Sequence, residues 1–132
     1  MAYSIDRMAL LARSAALEAE GVGKRRSYRL GAVLFDDRGR VWSVKTNKLK
    51  THPVLAKYTQ FPYLHAETAC VLGHGIDNCN GMNIIVVRVL RDGTPAISNP
   101  CCVCRDVMSL AGIHTVYYYG KKGMTHEHLL VR

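Results

Sequence analysis

Residues 82–119 read MNIIVVRVLRDGTPAISNPCCVCRDVMSLAGIHTVYYY, and this stretch decides the fold. Met82 to Leu90 is a nearly continuous apolar run, which is typical of a strand buried on both faces. Cys101 to Ala111 is predicted to be a helix, with Gly112 as its stop, and Ile113 to Tyr119 is predicted to be a second strand. Strand, helix and strand in this order predict a parallel pair joined by a right-handed crossover.

The rest of the chain supplies further elements around this unit. The patterns predict a helix over 4–20 that Ser4 caps and Gly21 and Gly23 end, a hairpin of strands 28–36 and 40–46, and a helix over 65–73. Residues 47–64 and 91–100 are predicted to be loops. Residues 120–132 are ambiguous, with a short helix at Glu127–Val131 as one option. The length of 132 residues fits a single domain over residues 1–132. The elements predict a mixed sheet with helices packed on it.

Composition limits the classes of protein to consider. No apolar run approaches the 18 or so residues of a membrane helix, and the N-terminal segment is amphipathic rather than a signal peptide. We therefore expect a cytoplasmic protein with no membrane partner. Five cysteines, an odd number, cannot all pair as disulfides, so metal binding or burial explains them better. The net charge of +8 suggests an anionic partner, although a basic solvated surface explains it equally well.

Two short motifs carry the candidate chemistry: His65-Ala66-Glu67 and Pro100-Cys101-Cys102-Val103-Cys104. Cys101 and Cys104 are three residues apart, so one helical turn brings their sulfurs together, and His65 supplies a third ligand for zinc. Three protein ligands leave a fourth position for water, as in catalytic zinc sites. Each motif is predicted to open a helix, where the dipole and free N–H groups stabilise thiolates.

Glu67 lies two residues from His65, where it can move protons without ligating the metal. In this interpretation Glu67 takes a proton from the zinc-bound water. It later delivers protons to a ring nitrogen of the substrate and to the substrate's amino group, which departs as ammonia. A purely structural zinc site would need neither this carboxylate nor an open position. A catalytically silent zinc-binding module remains the alternative from another class.

The H-x-E and P-C-x-x-C motifs together resemble the zinc-dependent cytidine and deoxycytidylate deaminase superfamily. The resemblance implies an α/β fold of three layers, α-β-α, with a mixed central sheet of about five strands and helices on both faces. It also implies that Asn47 contacts the sugar and that the backbone of Ala66 contacts the base. His52 and Tyr63 would shape the pocket from the loop before His65, and a homo-oligomer is expected.

The favoured substrate is a small cytosine nucleoside or nucleotide, deoxycytidylate above all, which is converted to deoxyuridylate and ammonia. A basic rim would then bind the phosphate, made of Lys24, Arg25, Arg26, Lys48 and Lys50. The alternative is a base within RNA or DNA, either adenosine of tRNA or cytosine of a polynucleotide, so nucleic acid is the second choice of partner.

The remaining cysteines and histidines favour structural roles. Cys102 is predicted to point away from the metal and pack, and Cys70 and Cys79 are predicted to be core or surface thiols. His114 is interpreted as a packing residue. Two further histidines, His126 and His128, are placed in a solvated tail.

Overall fold

The computed structural model of the chain describes residues 4–19, 29–47 and 65–129. Its helices are α1 (Ile5–Glu18), α2 (Ala66–His74) and α3 (Cys102–Leu110), with a 3₁₀ turn at Ile76–Asn78. Its strands are β1 (Arg29–Phe35), β2 (Val41–Thr46), β3 (Asn83–Val89), β4 (Pro95–Ala96), β5 (Thr115–Gly120) and β6 (Gly123–His128). Within these ranges, every helix is too short or too polar to cross a membrane.

The strands form one mixed sheet in the order β2-β1-β3-β5-β6, and the short β4 pairs with β3. Strand β3 runs parallel to β5, with Asn83 opposite Thr115 and Val86 opposite Tyr118. Strand β1 lies antiparallel on the other side of β3 and pairs with β2 as the predicted hairpin. The predicted parallel pair and the mixed sheet are therefore confirmed.

Strand β3 is buried on both faces, as its apolar run predicts. Ile84 and Val86 belong to a core that includes Met108 of α3. Ile85 and Val87 belong to a second core that includes Met8 of α1. Because successive side chains of a strand point to opposite faces, one apolar strand supports both cores. Helix α1 covers one face while α2 and α3 cover the other, which confirms the three-layer prediction.

Helix α1 packs closely on the sheet because small residues line the contact. The Ser4 hydroxyl caps the helix by accepting a hydrogen bond from the Arg7 N–H at 3.4 Å. Ala12 and Ala16 are fully buried, and Gly31 of β1 lies against their backbone. A glycine here removes the side chain that would otherwise hold the helix away from the strand. The helix ends at Glu18, and Gly21 and Gly23 lie outside the described residues.

Two strands correct the sequence predictions. The predicted loop 91–100 contains β4, which pairs with Val89 and Arg88 of β3. The short helix at Glu127–Val131 is wrong over its described part, because Glu127 and His128 belong to β6. A tight turn brings Gly123, with φ of 106°, opposite Gly120, so β6 pairs antiparallel with β5. Cross-strand pairing there outweighs the weak local preference for a helix.

Candidate metal centre

His65 stands at the point where the chain enters α2. It is the N-cap residue of the helix, with an extended backbone (φ −72°, ψ 154°), and its side chain makes no cap hydrogen bond. The imidazole instead faces two sulfurs on α3, with Nδ1 at 3.3 Å from Cys104 Sγ and 3.6 Å from Cys101 Sγ. The first turn of α2 is thereby brought against the first turn of α3.

The two cysteines lie at the start of α3. Cys101 is its N-cap residue, so the helix begins at Cys102, one position later than predicted. The Cys101 Sγ accepts the Cys104 N–H at 3.4 Å. The sulfur therefore satisfies one of the amides that a helix start leaves without an intrahelical partner. Cys101 is half-buried and Cys104 is buried.

The three ligand atoms have the spacing that a tetrahedral zinc site requires. They all lie within 4.8 Å of one another, and this is the one such group of three or more His, Cys, Asp or Glu side chains in the described ranges. Zinc–sulfur and zinc–nitrogen bonds at a tetrahedral angle put sulfur and nitrogen about 3.6 Å apart. The two observed S···N distances of 3.3 and 3.6 Å agree with that value. The residues present therefore fit zinc.

The three side chains of the cluster shift one another's pKa values. The contact with the Cys104 thiol lowers the pKa of Cys101 to about 4. The same contact, together with burial, raises the pKa of Cys104. The hydrogen bond to Cys101 raises the pKa of His65. Metal binding requires deprotonated ligands, so metal affinity at this cluster should depend on pH.

Glu67 is fully enclosed next to these ligands. Its side chain is 2% exposed, and burial raises the pKa of the carboxyl, with a smaller opposing effect of His65. Its Oε1 atom has no hydrogen-bond partner among the described residues. A buried carboxyl oxygen without a partner is costly unless water, an ion or a substrate occupies the position beside it.

A network that the sequence analysis missed ties the cysteine motif to the sheet edge. Arg105 follows Cys104, and its Nε donates to the Pro100 carbonyl at 3.1 Å. Its guanidinium also bonds the Asn99 side chain and forms an ion pair with Glu127 on β6. The carbonyl that immediately precedes Cys101 is therefore held by a charged side chain. A basic residue directly after the second cysteine was the available signal, but its partner on β6 could not be read from the sequence.

Two of the predicted substrate contacts fall within the described residues. Asn47 is buried at the end of β2, and its Oδ1 accepts the Leu30 N–H at 2.9 Å. Ala66 is the buried first residue of α2, where a helix offers a backbone N–H without an intrahelical acceptor. Both positions are compatible with the predicted contacts to sugar and base, which stay predictions. Seven other candidates lie outside the described residues: His52, Tyr63, Lys24, Arg25, Arg26, Lys48 and Lys50.

The secondary cysteine and histidine predictions have mixed outcomes. Cys70 and Cys79 are buried, as one of the two predicted alternatives had it. Cys102 is exposed, so the prediction that it packs is wrong. It occupies the first helical position of α3, where the side chain faces solvent.

The predicted tail is a strand, because His126 and His128 belong to β6, but both residues are exposed to solvent, as predicted. The His128 ring lies 5.1 Å from the His114 ring, and Thr115 Oγ1 hydrogen-bonds Nδ1 of both rings. His114 is exposed at the start of β5 and makes this ring contact. These rings lie on the β5–β6 hairpin, and they are not part of the three-ligand group.

The sheet, the two helix starts and the three candidate ligands define an α/β protein with a possible metal site, and comparison with known proteins gives its family. Residues 4–120 match the family described as the cytidine and deoxycytidylate deaminase zinc-binding region. The chain belongs to this family. A search of curated proteins gives no match. The zinc-binding family and the His/Cys/Cys cluster together support zinc as the cofactor.

A solved structure shares the fold. The chain is similar to the apo dCMP deaminase of cyanophage S-TIM5, with a TM-score of 0.56 and 17% sequence identity. The similarity covers 84% of this chain and 78% of the phage protein. At this identity the likeness shows the fold alone. Family membership supports deamination of a nucleoside or nucleotide in general.

Proposed function

We propose that the chain is a zinc-dependent hydrolase that deaminates the cytosine of a free nucleoside or nucleotide, with deoxycytidylate as the favoured substrate. The proposal includes His65, Cys101 and Cys104 as the metal ligands and Glu67 as the proton-transfer residue. The observation that carries it is the buried Glu67 carboxyl, whose Oε1 lacks a partner among the described residues beside a three-ligand cluster. A catalytic role for the carboxyl would explain why the site retains this cost.

Three ligands of this kind leave one tetrahedral position for the reaction. When bound there, zinc lowers the pKa of a water molecule toward neutrality and so supplies a nucleophile. Glu67 would accept a proton from that water at a carboxylate oxygen. It would deliver this proton to the ring nitrogen as the water oxygen bonds to the ring carbon that bears the amino group. It would then take the second proton of that water and pass it to the amino group, which leaves as ammonia and gives the uracil product. Because the carboxyl is buried, it can hold the proton between these transfers without losing it to solvent.

Substrate binding is proposed to use residues around the metal cluster. The Asn47 side chain would contact the sugar, and the Ala66 N–H would bind the base oxygen. His52 and Tyr63 would shape the pocket. The basic candidates, Lys24, Arg25, Arg26, Lys48 and Lys50, would form a phosphate rim. Two features support a nucleotide as substrate, namely the net charge of +8 and the zinc-binding deaminase family. We also propose a homo-oligomer in the cytoplasm.

Ammonia release from zinc-loaded protein tests the substrate. The panel contains cytidine, deoxycytidine, their monophosphates, adenosine, guanine, single-stranded DNA and tRNA. Activity confined to the free cytosine compounds, with preference for deoxycytidylate over deoxycytidine, is expected. Activity only on DNA or tRNA would contradict the proposal and favour a polynucleotide deaminase. No ammonia from any compound, at full zinc content, would contradict the catalytic proposal as a whole.

A further inference from the structure

The Thr68 hydroxyl connects the two helices that carry the candidate ligands. Thr68 is fully buried in the first turn of α2, directly after Glu67. Its Oγ1 donates a hydrogen bond to Cys104 Sγ on α3 at 3.2 Å. A threonine within a helix commonly directs its hydroxyl to a carbonyl three or four residues earlier. This one instead reaches a sulfur on the neighbouring helix.

The two sulfurs of the cluster are supported by different donors. Cys101 Sγ accepts the backbone N–H of Cys104, which is part of the start of α3. Cys104 Sγ accepts the hydroxyl of Thr68, which only a side chain on another helix provides. The first donor follows from the P-C-x-x-C spacing, whereas the second depends on which residue follows Glu67. A substitution can therefore remove the second donor without disturbing the helix cap.

We propose that Thr68 is a positioning residue for the metal site, an inference that rests on the zinc site of the proposed function. The hydrogen bond fixes Cys104 Sγ relative to His65 and withdraws electron density from the thiolate. A zinc ion held by this sulfur would receive less negative charge from it and would be the stronger Lewis acid. Hydrogen bonds from outside the ligand set are known to tune metal sites in this way, and their loss typically lowers metal affinity or activity about 10–100-fold.

Substitution of Thr68 with valine removes the hydroxyl while keeping a β-branched side chain of similar shape. Thr68→Ser retains a donor and serves as the rescue variant. The matched control is Thr115→Val, which removes another buried threonine hydroxyl that contacts two surface histidines on the β5–β6 hairpin. The readouts are zinc affinity, by competition with a chelator, and the absorption spectrum of each protein loaded with Co²⁺. Thiolate-to-cobalt charge-transfer bands report directly on the donor strength of the sulfurs.

The expected result is a loss of zinc affinity of about tenfold or more in Thr68→Val, because loss of the hydrogen bond that positions the Cys104 sulfur and stabilises its thiolate outweighs the gain in donor strength. Its charge-transfer bands should move to lower energy, because a sulfur without a hydrogen bond gives up electrons more easily. Thr68→Ser and Thr115→Val should both match the wild type. If the wild type shows normal thiolate bands, an unchanged spectrum and an unchanged zinc affinity in Thr68→Val would overturn the inference about Thr68 alone. A wild type that binds Co²⁺ without thiolate bands would instead overturn the zinc site of the proposed function.

Discussion

Replacement of Gly31 with alanine tests how closely α1 lies on the sheet. An added Cβ would stand 2.0 Å from the Ala12 carbonyl oxygen and 2.7 Å from the Ala16 amide nitrogen. Ordinary van der Waals contact begins at 3.4 Å, so the helix would have to move by about 1.4 Å at Ala12. The obstacle is helix backbone, which cannot rotate aside as a flexible side chain can. The movement would also loosen Met8 against Val33 and the rest of that core.

Overpacking of a core typically costs about 1–3 kcal/mol. Because the clash is with backbone and displaces a whole helix, we expect Gly31→Ala to lower the free energy of unfolding by about 3 kcal/mol. For a chain of this size that loss lowers Tm by roughly 10 °C. Thermal and urea unfolding, followed by circular dichroism on zinc-loaded protein, measure it. Zinc content should stay at the wild-type level, since α1 covers the sheet face opposite to α2 and α3.

Gly120→Ala is the matched control. A Cβ there meets Thr125 Cγ2 at 3.4 Å and Gly123 O at 3.8 Å, both ordinary contacts. Its loss of stability should stay within about 1 kcal/mol. If Gly31→Ala unfolded at the same temperature as this control, the close packing of α1 on β1 would be refuted.

Two further substitutions test the candidate site. Cys104→Ala should lose zinc and unfold at a lower temperature, because metal binding contributes to folding stability; stoichiometric zinc by atomic absorption would contradict the ligand assignment. Asn47→Ala should lower the free energy of unfolding by about 1–3 kcal/mol, because the buried Leu30 N–H loses its acceptor. The same variant should raise KM for a nucleoside substrate, because the proposed contact with the sugar is lost. An unchanged urea midpoint would show that this bond contributes little, and an unchanged KM would remove Asn47 from substrate binding.

The sequence predicted the central part of the fold because its signal there is strong. The apolar run of β3 contains only two polar residues, Asn83 and Arg88, so a strand buried between two layers was the favoured interpretation. Strand β6 gave no such signal. It is an edge strand whose residues, such as Thr125 and His126, are largely exposed, and edge strands need no alternating pattern. The two-residue β4 is too short to show any periodicity.

The candidate site likewise has a part that the sequence predicted and a part that it did not. The spacing of Cys101 and Cys104, with His65 before a second helix, was enough to predict that three ligand atoms converge. The contacts that support these atoms depend on how α2, α3 and β6 are packed. Thr68 reaches Cys104 only because two helix starts face each other, and Arg105 reaches its carboxylate only because β6 exists. Neither contact is encoded in local sequence spacing.

The central claim is that a carboxyl at position 67 transfers protons at a zinc site. The most direct measurement compares ammonia release from deoxycytidylate by wild type and Glu67→Gln, both adjusted to equal zinc content. Proton transfer by a positioned side chain contributes about 10²- to 10⁴-fold to a rate, so we expect the variant to keep zinc and lose at least 100-fold in kcat. Normal turnover by the zinc-loaded Glu67→Gln protein would contradict the account.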